Sequence, residues 1–294
     1  MSDTHINTRQ VGRAFGRSAD SYDEHAVLQR EVAERLIAHL EFSKINPKRM
    51  LDIGCGTGHF TRLLQQRFRR TRLFAVDISH DMLCAARAQH PMRLPWKPRT
   101  RFARADAAGL PFADASFDLV ASNLTMQWVN DPTHMLAEMR RVLAPGGLML
   151  LSTFGRRTLA ELRQSLAGIG HGHGALVLPF PDVTSLGDAL MKLPVELPVT
   201  DTDLFTLTYP DTMALVRELK GLGASASAIK SRPAGLYGRR LLQQLAEEYT
   251  AHHRMPDGRI RASFEVLYAQ AWHAEAPHQY DQVIPIREGS ELGL

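Results

Sequence analysis

Cysteine is scarce in this chain of 294 residues, which contains two, Cys55 and Cys84. Two isolated cysteines provide no disulfide framework, and we expect both to be packed thiols rather than ligands. No apolar run approaches the ~20 residues that span a bilayer, and the polar start, Met1 to His5, lacks the apolar core of a signal peptide. These absences favour a cytoplasmic protein.

Strong charge and metal-binding patterns are also missing. The net charge of +4 is mildly basic, which permits an acidic partner without requiring one. The sequence has no zinc-ligand cluster, aromatic RNA-binding motif or long basic run. We therefore expect no metal and no nucleic-acid or membrane partner. The hydrophobic content of 44% is sufficient for a packed core.

The chain does contain a glycine-rich turn at residues 51–58, Leu-Asp-Ile-Gly-Cys-Gly-Thr-Gly. Gly54, Gly56 and Gly58 follow a short apolar segment, and without a Cβ they can adopt positive φ and let a ligand approach the main-chain amides. Nicotinamide enzymes space these glycines as G-x-G-x-x-G, and Asp52 beside the turn would repel a pyrophosphate. A zwitterionic ligand carrying an ammonium group fits better.

This stretch resembles the first motif of methyltransferases that use S-adenosyl-L-methionine (AdoMet) as co-substrate. The resemblance implies an α/β, Rossmann-like fold: a largely parallel seven-stranded sheet with helices on both faces. Further strand-like segments at 72–76, 100–105 and 117–123 follow the turn in the order that this fold requires.

Two acids follow the second and third predicted strands. Asp77 lies 23 residues after Gly54, near the interval at which a Rossmann-type acid reaches a ribose hydroxyl. Asp106 and Ala107 stand where such methyltransferases place an acid that accepts from the adenine amino group. Either acid alone could also be an ordinary strand-end cap. The predicted AdoMet contacts are Asp52, Gly54, Gly56, Gly58, Asp77, Ile78, Met82, Asp106, Ala107 and Asn123.

Composition and periodicity suggest three regions along the chain. Residues 1–45 are predicted to form an N-terminal helical lid, 46–273 the methyltransferase domain and 274–294 a tail. Within the domain, the Gly-His and proline pattern of 168–203 indicates an inserted substrate-side segment, and 91–98 a surface loop.

Local signals predict several individual elements. Helices are expected at 8–19, 26–40, 212–220 and 239–249, and the last two strands at 204–208 and 264–272, with the final strand antiparallel. Asp131 and Pro132 are predicted to cap a helix, and residues 158–161 have the form of a capping box.

The flanking segments are similar to one family in particular. Residues 14–36 resemble the start of malonyl-[acyl-carrier-protein] O-methyltransferases of biotin synthesis. Further matches lie at 122–128 and 152–162, and the most specific is Leu-Lys-Gly-Leu-Gly-Ala at 219–224. Arg157 departs from the small residue that the family often has there.

The resemblance implies transfer of the AdoMet methyl group to the free carboxylate of malonyl-acyl carrier protein (ACP), giving a methyl ester that primes pimeloyl synthesis for biotin. A carboxylate is already ionised at pH 7, so the reaction needs no general base and depends on positioning in a water-poor cleft. The catalytic candidates are Tyr22, Asn123, Gln127 and Trp128. The substrate-binding candidates are Arg156, Arg157, His173, Lys220, Arg239 and Arg240, with His171 next to them.

Two other functions stay open at this point. Another small-molecule methyltransferase would share the glycine turn but not the block at 219–224. A non-catalytic or protein-modifying assembly factor on the same fold would share the Asn-x-x-x-x-Trp-Val-Asn-Asp pattern of residues 123–131. The intact set Asp52, Asp77 and Asp106 weakens the non-catalytic version.

Overall fold

Seven strands form one sheet in the computed structural model of the protein, which describes residues 8–90, 100–170, 179–222 and 236–274. Some predicted features lie outside the described residues: the loop at 91–98, His171, His173, Gly223 and Ala224 of the family block, and the tail beyond residue 274.

The sheet has the strand order β3-β2-β1-β4-β5-β7-β6. Neighbouring strands from β3 to β5 are parallel, whereas β7 is antiparallel to both β5 and β6. This confirms the predicted parallel sheet with an antiparallel last strand. The strand bounds are β1 Arg49–Ile53, β2 Arg72–Asp77, β3 Arg101–Arg104, β4 Phe117–Asn123, β5 Leu143–Phe154, β6 Val195–Tyr209 and β7 Ile260–His273.

The order of the parallel strands reverses between β1 and β4. In open α/β sheets a ligand crevice opens at such a switch point, outside the carboxyl ends of the strands. The glycine turn follows β1 directly, so the predicted site lies at the carboxyl ends of the parallel strands.

Helices cover both faces of the sheet, as predicted. Because side chains alternate along a strand, Met50 packs into one apolar cluster and Leu51 into the other. The first cluster includes residues of α3, α4, α7, α9 and α10, and the second includes residues of α6 and α8. The helix bounds are α1 Thr8–Ser18, α2 Tyr22–His25, α3 Val27–Ala38, α4 His59–Arg67, α5 His80–Gln89, α6 Pro132–Val142, α7 Ala160–Ile169, α8 Val183–Met191, α9 Thr212–Gly221 and α10 Leu236–His253.

Most local helix predictions agree with these bounds. The helices expected at 8–19 and 26–40 correspond to α1 and to α3 with the 3₁₀ turn that follows it, whereas the short α2 was not predicted. Asp131 caps α6 by accepting from the backbone N–H of His134.

The segment expected to be an insertion, 168–203, contains α8 and the first part of edge strand β6. Leu186 and Leu190 of α8 are buried in the second apolar cluster. Only the later part of β6, at 204–208, was predicted, because the register of its first part shifts between Glu196 and Val199, around Pro198. A bulge on an edge strand is where a sheet tolerates proline. The boundaries of the three regions stay a prediction.

Two smaller expectations are wrong. Thr158 and Glu161 do not form a capping box, because the Thr158 hydroxyl donates to the carbonyl of Glu265 on β7 and the Glu161 carboxylate accepts from the backbone and hydroxyl of Ser263. The pair therefore ties the start of α7 to β7. Cys55 is buried as expected, but Cys84 is exposed on α5.

Candidate active site

The glycine turn links β1 to α4 through three residues with positive φ, +72° at Gly54, +52° at Gly56 and +84° at Gly58. A Cβ at Gly54 would lie 2.1 Å from Oγ1 of Thr125, and a Cβ at Gly58 would lie 3.1 Å from Cβ of Ala86. At Gly56 a Cβ would meet nothing within 4 Å. Gly54 and Gly58 therefore permit close packing, whereas Gly56 leaves space open for a ligand.

A large cavity, the main cleft, opens beside this turn at the switch point. Its empty space amounts to about 1050 Å³, a figure that includes the part open to solvent. Its walls come from α1 to α3, the glycine turn, and the carboxyl ends of β2 and β4. Eight predicted AdoMet contacts line it: Gly54, Gly56, Asp77, Ile78, Met82, Asp106, Ala107 and Asn123.

Asp77 is held at the end of β2 by two backbone N–H groups. One carboxylate oxygen accepts from Gly56 at 2.9 Å and the other accepts from Ser79 at 2.8 Å. Burial raises the pKa of Asp77 above its ordinary value, and these hydrogen bonds oppose that shift. The carboxylate therefore both faces the cleft and fixes the conformation of the glycine turn.

Asp52 does not lie where the sequence reasoning placed it. Its side chain is buried behind the turn rather than lining the main cleft, and one oxygen accepts from the Thr61 hydroxyl at 2.5 Å. The other oxygen has no partner among the described residues. Burial raises the pKa of Asp52 to about 7; the Thr61 hydrogen bond opposes the shift and Asp77 adds to it. The structure therefore does not support direct contact between Asp52 and a ligand ammonium group. Gly58, another predicted contact, does not line the main cleft either.

Helices α1, α2 and α3 cover the main cleft, and Asp23 on α2 links them to its walls through hydrogen bonds. One carboxylate oxygen of Asp23 accepts from the Thr57 hydroxyl at 2.6 Å, and the other accepts from the Gln89 side chain at 2.7 Å. The Arg30 guanidinium donates to the Asp23 backbone carbonyl. Asp23 thus joins the lid to the glycine turn and to α5, a role that its position in the sequence did not reveal.

A second cavity, which we call the second lobe, adjoins the main cleft. The two share five lining residues: Phe15, Tyr22, Gln29, Leu124 and Trp128. The remaining wall of the second lobe comes from α9, the ends of β5 and β7, and the start of α7, and it is largely apolar. The two cavities therefore lie side by side between the glycine turn and α9, with these five residues as their common wall.

The aromatic candidates form the wall that is common to both cavities. The Phe15 ring contacts the Trp128 ring edge to face, with centroids 5.2 Å apart, and lies 6.2 Å from the Tyr22 ring. Burial, together with Asp77 and Asp23, raises the pKa of Tyr22, so its hydroxyl stays protonated at neutral pH.

Both amide candidates are held by hydrogen bonds within the protein. Asn123 lines the main cleft, where its oxygen accepts from the Ser152 hydroxyl at 2.8 Å and its nitrogen donates to the Gln29 carbonyl at 3.1 Å. Gln127 lines the second lobe; its nitrogen donates to the Leu124 carbonyl and its oxygen accepts from the Thr153 hydroxyl. These bonds fix the walls around the point where the two cavities meet.

Gln29 and His59 are among the polar residues at the site that were not singled out from the sequence. Gln29 of α3 lines both cavities, and its side-chain oxygen is buried with no partner among the described residues. His59, at the start of α4, lines the main cleft, and burial lowers its pKa. Neither residue belongs to a recognisable motif, because each reaches the site only through the packing of its helix.

The basic substrate-binding candidates lie outside both cavities. Arg157 donates to the Glu265 carboxylate at 2.8 Å, and Arg156 is exposed, 3.8 Å from the Asp182 carboxylate. Lys220, Arg239 and Arg240 are exposed on α9 and α10. None of the five lines either cavity, so the structure does not support direct contact with an acceptor carboxylate deep in the site. His173 lies outside the described residues.

Residues 8–90, 100–170, 179–222 and 236–274 lack two other features. Within these ranges no helix combines the length and apolar character that a bilayer span requires. The same ranges contain no cluster of three or more His, Cys, Asp or Glu side chains arranged to hold a metal ion.

Comparison with known proteins gives sequence matches along nearly the whole chain. Residues 51–151 match the family described as "Methyltransferase domain". The chain is 44% identical over 267 residues to the malonyl-[acyl-carrier protein] O-methyltransferase of Halorhodospira halophila, covering 91% of this chain and 88% of that protein. It is 41% identical to the protein of the same name from Methylovorus sp., covering 92% of this chain and 90% of that one.

Solved structures share the fold at lower sequence identity. The YcgJ protein of Bacillus subtilis superposes with a TM-score of 0.55 at 17% identity, over 83% of this chain and 99% of that one. A SAM-dependent methyltransferase of Thermotoga maritima gives a TM-score of 0.51 at 18% identity, over 90% of this chain and 99% of that one. These likenesses support the Rossmann-like methyltransferase fold.

Proposed function

The chain belongs to the malonyl-[acyl-carrier protein] O-methyltransferase family, and we propose that it transfers the AdoMet methyl group to the free carboxylate of malonyl-ACP. The product is the methyl ester of malonyl-ACP, which primes pimeloyl synthesis for biotin. The observation that carries this proposal is the match to named relatives along almost the whole chain. The two adjoining cavities supply room for a donor and an acceptor.

The main cleft fits AdoMet on two grounds. The space at Gly56 admits a ligand against the backbone, and the Asp77 carboxylate at the end of β2 retains lone pairs that can accept from ribose hydroxyls. Ile78, Met82, Asp106 and Ala107 line the same cleft and are assigned to the adenine end. Asp52 is assigned a structural role behind the turn.

The chemistry requires positioning rather than proton transfer. AdoMet supplies a methyl group on a positively charged sulfur, and the carbon-sulfur electron pair stays with the sulfur when a carboxylate oxygen takes that methyl. Since the acceptor is already ionised, no side chain has to remove a proton. The protein's task is to exclude water and to hold the carboxylate in line with the methyl group.

The residues at the boundary between the two cavities, which we call the junction, are assigned that task. Tyr22 and Trp128 form the wall at the junction and keep water from the reacting atoms. Asn123 and Gln127 hold the exit of β4 against its neighbours through the hydrogen bonds described above. The acceptor carboxylate reaches the boundary between the cavities from the second lobe, whose mostly apolar walls favour a neutral chain behind it.

The function can be tested with labelled AdoMet and three acyl-ACP thioesters. Malonyl-ACP should become a methyl ester, and acetyl-ACP should not react because it has no free carboxylate. Succinyl-ACP, whose carboxylate lies one methylene further out, measures how strictly the site fixes chain length. Mass spectrometry of the products decides, and an absence of methyl ester on malonyl-ACP and on malonyl-coenzyme A would contradict the proposal.

The exposed basic residues of α9 and α10 are assigned to docking of the acidic carrier protein. Charge-steered docking is screened by salt, since the Debye length falls from ~10 Å at 0.1 M to ~3 Å at 1 M. Methylation of malonyl-ACP should therefore drop sharply with added salt and in the double variant Arg239→Glu/Arg240→Glu. Methylation of malonyl-coenzyme A, which lacks the acidic protein surface, should respond much less.

The pair Arg69 and Arg70 provides a matched control for that double variant. Both are exposed and lie between the end of α4 and the start of β2. They are therefore at the amino end of the parallel strands, whereas the main cleft lies at the carboxyl end. Charge reversal there should leave the ratio of the two substrates unchanged. Parallel losses for malonyl-ACP and malonyl-coenzyme A, or no response at Arg239 and Arg240, would place the docking face elsewhere.

A further inference from the structure

Among the described residues that line the second lobe, which are mostly apolar, one carries a carboxylate, Glu218 on α9. One Glu218 oxygen accepts from the Tyr209 hydroxyl at 2.8 Å. Burial and the nearby Glu218 raise the pKa of Tyr209, so the tyrosine stays a hydrogen-bond donor. The carboxylate thus has a fixed orientation inside the lobe.

The other oxygen of Glu218 makes no hydrogen bond to a described residue, and no ion pair joins Glu218 to a described Lys, Arg or His. Its neighbours in the lining include Leu219, Leu222 and Phe264. A carboxylate among apolar side chains is stabilised by hydrogen-bond donors. Among the described residues, the Tyr209 hydroxyl is the donor to this carboxylate. A ligand that brings an N–H group into the lobe would supply another.

Charge restricts what that ligand can be. A second carboxylate at this end of the lobe would be repelled by Glu218 and stripped of water by the apolar walls. A neutral chain with an amide N–H meets neither obstacle. The phosphopantetheine arm that carries a malonyl thioester has such an amide, two carbons beyond the sulfur.

We propose that the second lobe is the binding subsite for the thioester arm and that Glu218, oriented by Tyr209, accepts a hydrogen bond from an amide N–H of that arm. The inference rests on the proposed function and extends it to a specificity-determining residue. The subsite lets the malonyl carboxylate point toward the junction while the arm leaves along α9. It also disfavours free malonate, whose second carboxylate would face Glu218.

A pair of small substrates isolates the amide contact. Malonyl-N-acetylcysteamine carries the amide N–H, and the S-ethyl monothioester of malonic acid lacks it. The variant Glu218→Leu should lower kcat/KM for the first substrate about 10-fold or more, the scale of a hydrogen bond to a charged group, and leave the second almost unchanged. AdoMet affinity should not change, because Glu218 does not line the main cleft.

Further variants guard against misfolding and non-specific effects. Glu218→Gln keeps the shape and a weaker acceptor, so it should lose about 3-fold on the amide substrate alone. Glu247→Leu changes an exposed glutamate of α10 and should affect neither substrate. Equal losses on both substrates in the Glu218 variants, or no loss on either, would overturn the subsite. Failure of the wild-type protein to methylate malonyl-ACP under the same conditions would instead contradict the proposed function.

Discussion

Replacement of Gly56 by valine is expected to abolish AdoMet binding. The residue has φ of +52°, a region that β-branched residues rarely adopt, and its missing side chain leaves the space that the ligand occupies in our assignment. The measurement is thermal unfolding with and without AdoMet. At 100 times its Kd a ligand adds about 2.7 kcal/mol of stability to the wild type, and the variant should gain none.

Two comparison variants separate backbone strain from filled space. Asparagine tolerates positive φ, so Gly56→Asn should fold more readily than the valine variant but still lose AdoMet binding. Gly187→Val on α8, where a Cβ would meet nothing closer than 4.0 Å, should retain the full ligand-induced shift. Equal stabilisation of wild type and Gly56→Val by AdoMet would show that the ligand does not approach this turn.

Removal of the Asp77 carboxylate should cost about 1.5–3 kcal/mol of AdoMet binding, or roughly 10- to 100-fold in Kd, because a charged hydrogen-bond partner is lost. Asp77→Asn should be little better than Asp77→Ala. Both carboxylate oxygens accept from backbone N–H groups, so an amide nitrogen would oppose either Gly56 or Ser79. Titration calorimetry measures both variants.

Asp81, an exposed acid in the first turn of α5, serves as the control for Asp77. It lies outside the main cleft, and Asp81→Ala should bind AdoMet like the wild type. Unchanged affinity in a folded Asp77→Ala variant would remove Asp77 from the site.

Features determined by short stretches of sequence were predictable. The strand expected at 117–123 has those bounds in the structure, because its apolar centre, Leu119 to Ala121, flanked by polar residues, is typical of a short buried strand. The glycine turn and Asp77 were found in the same way, from spacing within one βαβ unit. Strand β6 was only partly predicted, since its bulge breaks the alternation that a sequence pattern can detect.

Features that depend on contacts between distant segments were not predictable. Asp23 joins Thr57, 34 residues away, and Asp52 is turned inward by Thr61 on α4. Sequence spacing placed Asp52 beside the ligand because it adjoins the glycines, but strand alternation buries its side chain behind the turn. Gln29 and Glu218 reach the cavities only once their helices pack against the sheet.

The wall shared by the two cavities has a thermodynamic consequence. Because Phe15, Tyr22 and Trp128 contact both spaces, any ordering of these rings by one bound molecule changes the affinity for the other. Linkage requires the effect to be reciprocal, so donor and acceptor alter each other's binding by the same factor. With the methyl donor in the main cleft and the acyl chain in the second lobe, as proposed, ordering of this wall would make the two ligands heterotropic effectors of one another.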